Sequence, residues 1–136
     1  MAQHIGALTL LVADYDQAIT FFTRGLGFEL LEDTLLKEPG KPGKRWVRVA
    51  PRGACGSALL LAQAASEEQR AAIGRQGGGR VFLFLETDDF WGDYERMREY
   101  GVHFCEEPRC ESYGTVVVFE DISGNRWDLL QLAAAN

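Results

Sequence analysis

The spacing of apolar and polar residues predicts an alternation of short strands and helices, and this alternation runs through the chain twice. Leu8-Thr9-Leu10-Leu11-Val12 is an apolar run of strand length, closed by Asp14-Tyr15-Asp16-Gln17. Asp14 can accept the first unpaired amide protons of a helix, and Gln17 stands at the capping-box distance from it. Ile19, Phe22 and Leu26 then recur at helical intervals, with Gly25 and Gly27 to stop the helix. Phe28 to Glu32 returns as a strand.

The second half repeats the pattern. Phe82 to Glu86 reads as a strand, Asp88 or Asp89 caps, Trp91 to Tyr100 has helix composition, Gly101 stops it, and Val102 to Glu106 is the return strand. Asp14 and Asp89 stand 75 residues apart, whereas Gly27 and Gly101 stand 74 apart, so the second copy lacks one residue in its helix or turn. Each half then closes with a strand pair. Arg45 to Val49 precedes Ala58 to Gln63, and Thr115 to Phe119 precedes Trp127 to Gln131. Gly56 and Gly124, like Gln63 and Gln131, are 68 residues apart, and the turns carry the Gly and Asn that hairpins favour. Between the halves, Ser66 to Ile73 reads as a short capped helix and Gln76-Gly77-Gly78-Gly79 as a flexible joint. A phosphate cradle is the poorer reading of those glycines, because no strand feeds the run and no helix leaves it.

Composition narrows the function. A chain of 136 residues, 46% hydrophobic, supports one domain with a real core, and no apolar run approaches a membrane span. The start of the chain has no basic segment leading into an apolar one, so no secretory leader is expected. Three cysteines, Cys55, Cys105 and Cys110, form no disulfide framework and favour reduced thiols in a cytoplasmic protein. The net charge of −6 argues against nucleic acid as a partner. The one basic stretch, Lys37 to Arg48, is broken by Gly40, Pro42 and Gly43 and reads as a solvated loop.

The two βαβββ copies, their Asp-capped first helices and the terminal Phe119-Glu120-Asp121-Ile122-Ser123-Gly124-Asn125-Arg126-Trp127-Asp128-Leu129 together resemble the vicinal oxygen chelate superfamily, which includes glyoxalases, bleomycin-resistance proteins and dioxygenases. Ile122 stands where proline is usual in its terminal turn. The resemblance spans roughly Ile5 to Leu132. It implies an α+β fold in which two βαβββ modules form a cup-shaped mixed sheet with helices outside. The implied layout is one domain over 1–136, with module one at about 5–64, linker helix and joint at about 65–79, and module two at about 80–132. It also implies a homodimer, since open sheets leave edges that pair.

In metal-dependent members the ligands lie on the first and last strand of each module. Carried over, those positions hold Ala7, Phe82, Leu60 and Asp128. Only Asp128 has a donor atom, and one carboxylate cannot hold a catalytic divalent ion, so neither a metal nor another cofactor is expected. His4 falls in the N-terminal tail. His103, with Cys105 and Cys110, makes a His-x-Cys-x4-Cys string that reads more readily as strand filling than as a metal site.

Strand parity assigns the cup. If Ala7, Leu60, Phe82 and Asp128 face inward, as the resemblance implies, so do Thr9, Leu11, Phe84, Glu86, Arg126 and Leu130; Leu8, Leu10, Val12, Leu83, Leu85, Trp127 and Leu129 then face the helices, and Val47 and Val49 leave Trp46 and Arg48 for the cup. The ligand-binding candidates are therefore Thr9, Trp46, Arg48, Phe82, Phe84, Glu86 and Asp128, joined by Tyr113 beside Gly114 at the implied mouth. The aromatic residues either line a pocket or plug it, and Asp128 either serves a ligand or pairs with Arg48 or Arg126. These residues predict a metal-free protein that binds or sequesters an aromatic, possibly cationic, small molecule. The alternatives are a glyoxalase-type lyase or extradiol-dioxygenase-type enzyme using a divalent metal, or a metal-independent enzyme with Asp128 or Glu86 as general base; no catalytic residue is assigned.

Overall fold

Asp14 opens the first helix as its sequence requires: its carboxylate accepts the Gln17 amide at 2.8 Å, and α1 runs Tyr15–Thr20. The helix then loosens into a π-helical turn, Phe21–Gly25. A π turn holds one residue more than an α turn. It therefore accommodates the residue by which the first copy exceeds the second. Gly25 is the buried last residue of this turn, and Gly27 follows at φ 78° with its amide bonded to the Thr23 carbonyl. In the second copy Asp89, not Asp88, caps α3 (Phe90–Tyr100) by accepting the Gly92 amide, and Gly101 ends it at φ 104°.

In this computed structural model residues 1–53 and 56–134 are described; Cys55 lies outside them. The chain divides into two compact units, Met1–Ile73 and Gly74–Asn136. The first holds β1 (Ala7–Val12), α1, β2 (Glu29–Leu35), β3 (Arg45–Ala50), β4 (Ala58–Gln63) and α2 (Glu67–Ala72, capped by Ser66). Its sheet has the order β1-β4-β3-β2, with β1 parallel to β4 and the remaining pairs antiparallel. The second holds β5 (Val81–Glu86), α3, β6 (His103–Phe104), β7 (Arg109–Glu111), β8 (Gly114–Glu120) and β9 (Arg126–Leu132). Its sheet has the order β5-β9-β8-β6, again with a parallel first pair, and β7 also pairs with β8. Each unit is thus a mixed sheet with helical cover, the α+β repeat expected. The expected return strand at 102–106 is instead the two-residue β6, and β7 resumes the edge beyond Pro108, which cannot donate to a ladder.

One face of each sheet is sealed. Leu10, Val12, Val47, Val49, Leu59 and Leu61 are buried with Phe21, Phe22 and Phe28 in the first unit. Val117, Phe119, Trp127 and Leu129 are buried with Phe90, Tyr94 and Met97 in the second. The Tyr94 ring lies 4.7 Å from Phe104, and Phe119 stacks on Trp127 at 5.6 Å. Each such side chain contributes on the order of 1.5–3 kcal/mol. Leu8, in the helix-facing set and paired with buried Leu59, remains exposed at the start of edge strand β1.

The repeat extends to hydrogen bonds. The side chain of Gln63 accepts the Tyr15 amide at 3.2 Å, and that of Gln131 accepts the Phe90 amide at 2.9 Å. Each closing strand therefore satisfies the first amide of its module's helix, a group with no partner inside the helix. The terminal turn is fixed by Asp121, which is buried and accepts the Ser123 and Asn125 amides, the Asn125 side chain at 3.1 Å and the Trp127 indole at 3.0 Å. The joint forms two successive turns, Gly78 bonding Arg75 and Arg80 bonding Gly77, where a loose run was expected; Gly78 and Gly79 supply the positive φ.

Candidate functional site

The opposite face of each sheet carries most of the polar and aromatic residues that parity assigned to it, and in the second unit Val116 and Leu130 on that face are buried. In the first unit the ladder sets Thr9 beside Leu60, Leu60 beside Arg48, and Arg48 beside Glu32. Trp46, 40% exposed, lies one pleat away opposite Thr34. Thr9 and Trp46 line the same hollow of about 590 Å³ with Tyr15, Leu60 and the Gly40–Arg45 loop. Arg48 does not join them. It lines a separate hollow with His4, Glu29 and Leu31, and its guanidinium is engaged by Glu32 at 3.2 Å.

In the second unit Phe84, Asp128 and Val118 stand side by side on β5, β9 and β8, and Glu86 lies one pleat on, beside Leu130. Phe84 is 62% exposed, so its ring presents an open apolar face where a sequestered core would hide it. Asp128 is half-buried. Its Oδ1 is shut off from solvent and has no hydrogen-bond partner. Burial pushes this carboxyl above the usual aspartate range, Arg109 partly offsets the rise, and Glu106 adds to it. Neither salt bridge considered for Asp128 forms among the described residues: Arg48 pairs with Glu32, and no ion pair joins Asp128 to Arg126.

Phe82 departs from the parity assignment. The pairing of β5 with β9 slips between Val81 and Leu83, so Val81, not Phe82, opposes Arg126. Phe82 is the extra residue of the bulge, half-buried, with its side chain against Gly77 of the joint; a Cβ on Gly77 would meet the Phe82 ring at 3.3 Å. Tyr113 is exposed in the turn joining β7 to β8, where its carbonyl accepts the Ala133 amide. Two groups near Asp128 escape a sequence reading. Arg109 donates to Glu106 at 3.1 Å and to Glu111 at 2.9 Å. Glu106 in turn accepts the Val118 amide at 3.1 Å. Only the broken edge strand places them there, and no periodicity in the chain signals the break.

The donor set does not fit the catalytic metal of oxygen-chelating relatives. Ala7, Leu60 and Phe82 offer no ligand atom, and the neighbours that the ladder gives Asp128 are Phe84 and Val118. A single carboxylate is too little for a divalent ion.

Comparison with known proteins gives a consistent picture. The profile of the Glyoxalase/Bleomycin resistance protein/Dioxygenase superfamily matches residues 4–129. An uncharacterized protein of Shewanella frigidimarina is 54% identical over 132 residues, covering 97% of this chain and 96% of its own. Among solved structures, UcmS2 is 30% identical with a TM-score of 0.79, covering 96% of this chain and 98% of its own. TnmS3, an antibiotic binding protein from Streptomyces sp. CB03234, is 30% identical with a TM-score of 0.73, covering 97% of this chain and 98% of its own.

Proposed function

From the premise that the chain belongs to the glyoxalase/bleomycin resistance protein/dioxygenase superfamily, we propose that it binds an aromatic, cationic small molecule without the help of a metal at the family's ligand positions. The observation that carries this reading is the pairing of an exposed Phe84 ring with an Asp128 oxygen that is buried and unbonded. A desolvated carboxylate oxygen without a donor is costly, and a guest bringing a cationic N–H would supply one. The adjacent ring would hold the guest's apolar face and favour its charge. Glu86 and Tyr113 extend the candidate surface of the second unit, Thr9 and Trp46 line a hollow of the first, and the net charge of −6 favours a cation. TnmS3, at 30% identity, supports a binding role through its description as an antibiotic binding protein. The same reading includes a homodimer in the cytoplasm. The free thiols of Cys105 and Cys110 agree with a reducing compartment, and no helix among the described residues is long and apolar enough to cross a membrane.

The test is a thermal-shift and calorimetric titration with an acridinium dye, a neutral acridine analogue and an acridine sulfonate. The cationic dye should raise the melting temperature and bind most tightly, and Phe84→Ala and Asp128→Asn should each weaken it. Equal binding of all three probes, or affinity unchanged in both variants, would remove this site from consideration.

A further inference from the structure

Outside the face around Asp128, the register brings three different metal-binding side chains together. β6 is antiparallel to β8 with His103 opposite Glu120, and the Cys105 amide continues the ladder by bonding the Val118 carbonyl at 2.9 Å. His103 and Cys105 are two residues apart on an extended segment, so they point to the same side, and the cross-strand partner Glu120 shares it. An imidazole nitrogen, a thiol sulfur and a carboxylate oxygen thus all lie within 4.8 Å of one another, the one such group of three among the described residues. The Cys105 sulfur is already 3.9 Å from a Glu120 oxygen.

We propose that His103, Cys105 and Glu120 form a binding site for a zinc-type divalent cation at the edge of the second sheet. The donor chemistry selects the ion. Nitrogen, sulfur and carboxylate oxygen together suit zinc, whereas magnesium and calcium take oxygen shells. Tetrahedral bonds of about 2.0–2.3 Å would place ligand atoms roughly 3–4 Å apart, so a modest side-chain closure completes three corners and leaves the fourth to water. The β6–β8 ladder fixes His103 and Glu120, and the Cys105 amide is tied to Val118, so little order has to be created on binding. Partial desolvation and the facing Glu120 carboxylate push the Cys105 thiol up, and Arg126 opposes this. A divalent cation relieves that repulsion; the thiol proton leaves to solvent as the sulfur–metal bond forms. Cys110 is no part of the group. From β7 it pairs with Thr115 of β8 and is not among the three grouped side chains, so the His-x-Cys-x4-Cys string is not what assembles the site.

The test uses the purified, chelator-stripped full chain titrated with zinc chloride against a chromophoric chelator, and separately with cobalt chloride. One equivalent of zinc should bind with micromolar or tighter affinity, magnesium chloride should not compete, and cobalt should give a thiolate charge-transfer band. His103→Ala and Cys105→Ser should each weaken zinc at least tenfold, Glu120→Gln should weaken it less, and Cys105→Ser should abolish the cobalt band. Cys110→Ser and Cys55→Ser should leave both unchanged. All three ligands are on or near the surface, and circular dichroism of each variant checks the fold. Zinc binding no tighter in the wild type than in a His103→Ala/Cys105→Ser double variant would overturn the proposal. So would a cobalt band that survives Cys105→Ser.

Discussion

At the scale of single residues, Asp128 makes the sharpest prediction. Its folded-state value is raised, so the cost of ionising it is absent below the ordinary aspartate value of 3.8 and sets in as the pH rises through the raised value. Stability is therefore lost with rising pH, not gained. Asp128→Asn should melt above the wild type at neutral pH and match it near about pH 3, where both forms are uncharged. Parallel melting curves across that range would show that burial of the charge is not a liability. The same variant should weaken a cationic guest by about 1–3 kcal/mol, the worth of a charge-assisted hydrogen bond. A more stable protein that binds less well is the signature of a group kept for function. How far this site could be read from the chain depends on what fixed each residue. Phe84, Asp128 and Glu86 follow from strand alternation once the carried-over ligand positions set its phase. Phe82 does not, because a bulge shifts it out of phase without leaving a mark in the sequence. Arg109 and Glu106 are near Asp128 only because the edge strand breaks before Pro108. Glu120 meets His103 and Cys105 only through the register of β6 on β8.

At the scale of elements, the repeat was legible because each half carries its own punctuation. An aspartate precedes each helix, a glycine ends it, and a glutamine closes the last strand. The offset of one residue was visible too, but its resolution as a π turn was not, since nothing local distinguishes Phe21–Gly25 from an α turn. The glutamines are testable as structural parts. Gln131→Ala and Gln63→Ala each leave a helix-opening amide without its acceptor, and each should cost about 0.5–1.5 kcal/mol in a urea titration. Asp121→Ala should cost more, about 3 kcal/mol or above, because several buried donors lose their acceptor together. If the glutamine variants proved the more damaging, the terminal turn would not be the main lock on the second unit. Gly114 belongs to the same lock. It sits at φ 150° with the Gln131 carbonyl where a Cβ would go, so Gly114→Ala is expected to loosen the β8–β9 pairing.

At the scale of the whole molecule, the two sheets differ in how their edges are guarded, and the difference predicts how copies associate. The β6–β7 edge of the second sheet carries Arg109 bonded to Glu106 and Glu111, a charged fringe that discourages pairing. On β2, the edge of the first sheet, the two charges of its middle are spent inward. Asp33 is bonded by Arg45 and Glu32 by Arg48, both on the neighbouring β3. Beside Glu29 and Thr34, three large apolar side chains remain exposed: Leu30 at 43%, Leu31 at 45% and Leu35 at 59%. The slip between Leu30 and Glu32 leaves Leu31 without a partner on β3, which frees its side chain for a neighbour. Sedimentation at tens of micromolar should therefore report a species of twice the 15.1 kDa chain mass. Leu31→Lys combined with Leu35→Lys should shift it toward the single chain with the circular dichroism spectrum retained, since neither side chain contributes to the buried core. A wild-type protein that sediments as a single chain would sink the dimer. A dimer indifferent to both substitutions would instead move the interface away from β2.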